Sequence, residues 1–131
     1  MKLTKDDIEE YLKKVKESVR RGKYQFACRD KNEKLTKQYV IKERDMIEII
    51  LDLNVMDFCK VVNNEHPKFG YEKLYIFSKT VRLIPRFSSG EKNVDLYIKF
   101  NLLDYGYCIV ISFHEQEFIL KKYFEDKRQD N

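Results

Sequence analysis

The stretch VDLYIKF, residues 94–100, alternates between apolar and polar side chains over its whole length. A period of two puts successive side chains on opposite faces of a strand, so this pattern predicts a β-strand with one buried face. A second run, CIVISFHE at residues 108–115, has the same character. The turn-forming sequence Asp104-Tyr105-Gly106 lies between the two runs. We therefore predict an antiparallel hairpin.

Each predicted strand has one face that is available to solvent or to a ligand rather than to the core. That face carries Tyr97 and Lys99 in the first strand and Ser112 and His114 in the second. If the two faces coincide, a phenol, an ammonium, a hydroxyl and an imidazole meet on one patch, which suits a phosphodiester substrate. Strict alternation assigns the rest of the second strand as follows: Ile109, Ile111 and Phe113 to the core, and Cys108 and Val110 to the face of His114.

The composition indicates one globular domain with a charged surface. The chain has 131 residues, 43% of them hydrophobic and 37% charged, and its formal net charge is +4. This charge permits a polyanionic partner without requiring one. Residues 13–29 are strongly basic, whereas residues 6–10 are acidic. That order complements a helix macrodipole, and it also fits a basic patch that faces RNA or protein.

The cysteines and the N-terminus argue against several other classes of protein. Cys28, Cys59 and Cys108 are widely spaced, and only His66 and His114 could join them as metal ligands. We therefore predict buried, reduced thiols, with no metal and no cofactor. The N-terminus resembles a charged helix rather than a signal peptide, and no apolar run reaches the length of a membrane span. These features predict a cytoplasmic protein without a membrane partner.

Capping residues and periodicity predict the remaining elements. The class is α+β, with N-terminal helices packed on a mainly antiparallel sheet in a single domain over residues 1–120. A charged C-terminal tail follows over residues 121–131 and is expected to fray apart from Tyr123 and Phe124. The predicted elements are a helix over 5–21 between Thr4 and Gly22, a strand over 24–28, helices over 30–39 and 43–51, an edge strand or short helix over 57–62, a loop over 63–70, a strand over 73–80 and an extended connection over 82–92.

Several motifs in order resemble the MqsR family of toxin–antitoxin ribonucleases, over residues 12–118. They are a basic helix ending at Gly22, the Tyr24-x-Phe26-x-x-Arg29 strand, MIEIILDL at 46–53 leading into DFCK at 57–60, LYIK at 96–99 and VISF at 110–113. The resemblance implies a RelE-like fold and the activity of a sequence-specific mRNA endoribonuclease. It also implies a cognate antitoxin as partner, expected to be a helix-turn-helix DNA-binding protein.

The resemblance implies three catalytic residues in this chain. They are Lys60 after the Asp-Phe pair, Tyr97 of the Tyr-x-Lys strand, and His114 after Ser-Phe. The best-known member of the family has a lysine at the position of His114, so the chain departs from it there. An imidazole titrates near neutrality, which suits proton transfer to or from RNA. The structural alternatives are a strand-end histidine bonded to backbone, a half-exposed tyrosine and a solvated lysine.

Three further residues are candidates for substrate binding. Lys99 shares a face with Tyr97, and Arg29 lies at the end of a strand, where a guanidinium could clamp a phosphate. Tyr75 could stack on an unpaired base. A solvated lysine, a surface ion pair and core packing are the respective alternatives. The whole protein could also be a non-catalytic RNA- or protein-binding module on the same fold, or a structural partner in a larger complex.

Overall fold

A computed structural model describes residues 2–124, which form three helices and a five-stranded sheet. The strands lie in the order β1-β5-β4-β3-β2; β1 is parallel to β5, and the other neighbours are antiparallel. This arrangement confirms the α+β class with helices packed on a mainly antiparallel sheet. The elements are α1 (Lys5–Arg20), β1 (Tyr24–Phe26), α2 (Asp30–Gln38), α3 (Glu43–Leu51), β2 (Phe58–Asn63), β3 (Lys73–Leu83), β4 (Lys92–Leu103) and β5 (Tyr107–Glu115).

Helix α1 begins and ends where its capping residues predict. The Thr4 hydroxyl accepts a hydrogen bond from the Asp7 amide at 3.1 Å, and the Asp7 carboxylate accepts one from the Thr4 amide at 2.9 Å. This reciprocal pair satisfies two amides that the first turn leaves without partners. The chain then turns at Gly22, whose φ of +73° suits glycine. The buried apolar residues of the helix recur at intervals of three and four: Ile8, Leu12, Val15 and Val19.

Strands β4 and β5 form the predicted hairpin. Leu96, Ile98 and Phe100 are fully buried in the core. The turn between the strands uses Gly106 at φ +80°, and its amide donates to the Leu103 carbonyl at 3.0 Å. Because β4 alternates without interruption, every second side chain between these core residues lies on the opposite face of the sheet.

The first half of β5 differs from the prediction. Lys99 pairs with Ser112, but the next residue, Phe100, pairs with Val110, so Ile111 is an extra residue in a β-bulge. A bulge shifts the alternation of side chains by one position. Cys108 and Val110 are therefore fully buried in the core. Their predicted place on the face of His114 is wrong.

The other elements agree with the sequence within a few residues. Helix α3 has the predicted bounds, and the ambiguous segment 57–62 is the edge strand β2. Strand β1 ends earlier than predicted, and β3 continues further, to Leu83. Among the helices of residues 2–124, none combines the length and apolar character that a membrane crossing requires.

The described chain continues to pack beyond residue 120. The Tyr123 amide donates to the Phe58 carbonyl at 2.9 Å, and the two rings lie 5.2 Å apart. Phe124 packs against the core as well. The predicted tail over 121–131 therefore begins with ordered contacts, and its residues 125–131 lie outside the described part.

Candidate active site on the polar face of the sheet

The sheet face opposite the core carries most of the predicted site residues. We call it the polar face. Two cross-strand rows organise it, because paired residues on neighbouring strands project to the same side, with Cβ atoms about 4.5–5.5 Å apart. The first row is Ser78, Tyr97 and His114, and the second is Lys60, Ile76, Lys99 and Ser112.

His114 and Tyr97 form the centre of the polar face. Their rings are stacked, with centroids 5.0 Å apart and an interplanar angle of 11°. The His114 Nδ1 atom lies 2.9 Å from the Glu115 carbonyl oxygen. A carbonyl oxygen can only accept, so this contact places the proton of the neutral ring on Nδ1 and leaves the lone pair on Nε2. A hydrogen bond to the backbone is typical of a structural histidine. Here it also leaves Nε2 free to accept a proton, as a base must.

Burial sets the protonation of both rings. His114 is only 8% exposed, and burial lowers its pKa because the imidazolium loses hydration. The hydrogen bond to the Glu115 backbone and the charge of Glu117 raise this pKa, whereas the charges of Lys31 and Arg29 lower it. Burial raises the pKa of Tyr97, which keeps its hydroxyl protonated. The pair therefore combines a neutral imidazole with a phenol that retains its proton.

Cations surround this pair. The Lys99 Nζ atom lies 5.9 Å from the centre of the Tyr97 ring, in cation–π range. Burial lowers the pKa of Lys99, as do the charges of Arg29 and Lys60, whereas the charge of Glu65 raises it. Arg29 Nη1 donates to the Ser112 hydroxyl at 3.1 Å, which holds the exposed guanidinium beside the row of Lys99. Lys60 is exposed on the neighbouring part of the sheet.

Tyr75 does not lie with these residues. It pairs with Phe100 and faces the core side, where its ring stacks on Tyr11 with centroids 3.7 Å apart. Core packing, the alternative given for Tyr75, is therefore what the structure shows, on the side of the sheet opposite Lys99. The physical reason is the register of β3 against β4, which turns the odd-numbered residues 75 and 77 of β3 towards α1 and the core.

Helix α2 contributes a side of the site that the sequence analysis missed. Strand β1 ends at Phe26, and the side chain of Asn32 then continues the hydrogen bonding along the edge of β5. Its Oδ1 accepts from the Phe113 amide at 2.9 Å, and its Nδ2 donates to the Ile111 carbonyl at 3.0 Å. These bonds fix one face of α2 beside His114. Helical spacing groups the residues of that face, Lys31, Lys34, Leu35 and Gln38.

The chain after β5 closes one end of the polar face. Gln116 Nε2 donates to the Leu96 carbonyl at 3.1 Å and also to the Ser78 hydroxyl. Lys122 Nζ donates to the Ser78 carbonyl. This segment brings another cation next to the row of Tyr97 and His114, which no sequence pattern indicated because it depends on a reversal of the chain after residue 115.

The arrangement brings together groups that are capable of proton transfer and of anion binding. A neutral imidazole, a protonated phenol and several cations adjoin each other on a partly buried surface, where electrostatic interactions are stronger than in bulk water. Within residues 2–124, no cluster of three or more histidine, cysteine or acidic side chains is placed to hold a metal ion.

Comparisons of the chain with protein-family models, with curated proteins and with solved structures gave no match in any of the three. The function of this protein must therefore be inferred from the polar face and the residues around it.

Proposed function

We propose that this protein is the toxin of a type II toxin–antitoxin system and cleaves mRNA by attack of the substrate's own 2′-hydroxyl, without a metal ion. The observation that carries this proposal is the stacked pair of His114 and Tyr97 with Lys99 and Arg29 beside it. Such cleavage needs a proton acceptor, a proton donor and fixed positive charge near the phosphate. The polar face offers all three.

The protons and bonds of the reaction balance within these residues. Nε2 of His114 takes the proton of the 2′-hydroxyl, and the 2′-oxygen forms a bond to phosphorus. The bond from phosphorus to the 5′-oxygen breaks, and the phenol of Tyr97 donates a proton to that leaving oxygen. The products are a 2′,3′-cyclic phosphate and a 5′-hydroxyl.

The cations act on charge that develops during the reaction. The pentacoordinate phosphorus carries more negative charge than the starting diester, so preorganised cations stabilise it preferentially. Lys99 and Arg29 are the nearest candidates for this role, and Lys60 extends the positive surface along the substrate. The lowered pKa of His114 supports its role as a base, because the ring is neutral at neutral pH.

Incubation of the purified protein with a long single-stranded RNA in EDTA tests the reaction. We expect discrete fragments with cyclic phosphate ends, and a loss of rate of ~10²–10⁴-fold in His114→Ala and in Tyr97→Phe. His66→Ala and Tyr105→Phe are matched controls, because both residues are exposed and belong to neither cross-strand row of the polar face. Bound but intact RNA would instead favour the non-catalytic binding module.

The biological role has a separate test in the cytoplasm of a growing cell. Expression of the wild-type chain should arrest growth, and His114→Ala should not. Co-expression of the protein encoded by the neighbouring gene, expected to be a DNA-binding antitoxin, should restore growth. RNA cleavage in vitro without growth arrest would retain the nuclease and refute the toxin.

A further inference from the structure

A cavity lies beside His114, between α2 and the residues that follow β5. Its volume is about 340 Å³, and its lining includes Leu35, Gln38, His114 and Glu115. Sites for small molecules in proteins have volumes from about 300 Å³ upwards. The cavity is therefore at the small end of this range, a size suited to one heterocyclic ring system rather than to an extended ligand.

The lining combines one apolar surface with hydrogen-bonding groups. Leu35 is almost fully buried and offers an apolar contact. The Glu115 carboxylate is held in place by the Tyr39 hydroxyl, which donates to Oε1 at 3.0 Å. A carboxylate has about four acceptor positions, so Glu115 can accept further hydrogen bonds. Gln38 adds an amide, which both donates and accepts.

An ion pair fixes the rim of the cavity. Lys31 Nζ lies 2.6 Å from Glu117 Oε1, and this contact joins α2 to the chain after β5. Both side chains are more than half exposed, so we assign the pair a positioning role rather than a large contribution to stability. Lys34 lies one helical turn from Lys31 and adds a cation at the entrance, where the backbone of a bound nucleotide would pass.

We propose that this cavity binds the base of the nucleotide next to the scissile phosphate and selects bases that carry an exocyclic amino group. The inference rests on the proposed function. His114 lines the cavity, and its ring stacks on Tyr97 in the polar face, so a base in the cavity lies next to the residue that carries the proton acceptor. Glu115 accepts from an amino group, as acidic side chains do from cytosine N4. Uracil has carbonyl oxygens instead, which the carboxylate repels.

Cleavage of defined oligonucleotides tests the selection. In a 2′-O-methyl RNA with a single free 2′-hydroxyl, the position of cleavage is fixed, and the base on either side of it can be varied. We expect kcat/KM to be about tenfold higher when the base in the cavity is adenine, cytosine or guanine than when it is uracil. Equal rates for all four bases on both sides would overturn the proposal.

Variants of the cavity assign the effect to its residues. Glu115→Gln should reduce the preference, because an amide can also donate to the carbonyl oxygens of uracil. Gln38→Ala should weaken binding of every base in the cavity. Lys37→Ala is the matched control on the same helix, since Lys37 is exposed and outside the cavity lining. A wild-type base preference in Glu115→Gln would refute the role of this carboxylate.

A binding measurement separates this inference from the proposed function. Oligonucleotides that are 2′-O-methylated throughout cannot be cleaved, and their affinities can be measured by fluorescence anisotropy. If no RNA is cleaved but amino-bearing bases bind about tenfold more tightly, the cavity is supported and the nuclease is not. If cleavage occurs with equal affinity and equal rate for the four bases, the nuclease stands and the base selection is refuted.

Discussion

The two faces of the sheet are built from the same strands but carry different kinds of side chain. On β4, Leu96, Ile98 and Phe100 are fully buried among apolar side chains, whereas the residues between them carry polar groups. The polar face is not fully exposed to solvent, because Ser112 and His114 are also buried. Burial of polar groups has a free-energy cost unless hydrogen bonds satisfy them. The comparison predicts that substitutions on the core face change stability most, and that substitutions on the polar face change the proposed reaction most.

Replacement of a large core side chain should have the largest effect on stability. Phe77 is fully buried against Phe58 and Phe100. Phe77→Ala should lower the free energy of unfolding by about 3–5 kcal/mol, because it removes apolar contacts and leaves a cavity. Phe87→Ala is the matched control: Phe87 is 91% exposed, and its change should stay within about 0.5 kcal/mol. Urea unfolding of both variants measures the difference.

Replacement of Lys99, the lysine at the centre of the polar face, should reduce activity strongly without reducing stability. Lys99→Met keeps an unbranched chain of similar length and removes the charge. We expect cleavage to fall by about 10²–10³-fold, the usual effect of losing one preorganised group that stabilises developing charge. Stability should stay constant or rise, because burial lowers the pKa of Lys99 and the charged form is disfavoured in the folded state. If Lys99→Met unfolded more easily than the wild type but cleaved RNA at the wild-type rate, the assignment of chemistry to the polar face would be wrong.

An intermediate effect is expected at the junction of the two faces. Asn32→Ala removes the bonds to the Phe113 amide and the Ile111 carbonyl, which should cost about 1–3 kcal/mol of stability. It should also release α2 from β5 and reduce cleavage. Asn93→Ala is the control, since Asn93 is an exposed residue of β4. Retention of full activity in Asn32→Ala would show that α2 is not needed beside His114.

The pH dependence should give the smallest effect. The folded pKa of His114 lies below its ordinary value of 6.5 because the ring is buried. As the pH falls below 6.5, the unfolded chain therefore binds a proton before the folded chain does, and stability decreases until the folded pKa is passed. Stability measured from pH 7 to pH 5 should decline less steeply in His114→Asn. The acid limb of kcat/KM should likewise have its midpoint below 6.5.

The sequence predicted those parts of the molecule that local patterns determine. Helix α1 follows from its Thr4 cap and apolar spacing, and the hairpin follows from the alternation of residues 94–100. Strand β3 is different, because Leu74, Tyr75, Ile76 and Phe77 are all bulky and apolar or aromatic, so alternation cannot say which face meets the core. Only its pairing with β4 decides the position of Tyr75.

The missed part of the candidate site depends on contacts between distant residues. Asn32 bonds to the backbone of residues 111 and 113, about 80 positions along the chain, and the cavity beside His114 lies between the elements that this contact joins. The bulge at Ile111 is equally invisible in a pattern of alternating residues. Local periodicity therefore predicts strands and helices, while the site emerges from how they are joined.

The bonds of Asn32 have a further consequence for behaviour at high concentration. An uncovered strand edge offers its amides and carbonyls to another chain and can seed aggregation. Strand β1 has only three residues, and beyond it Asn32 occupies the backbone groups of β5 that would otherwise remain available. One side chain thus protects this edge of the sheet against pairing with another chain, and its loss should be visible as faster aggregation on storage.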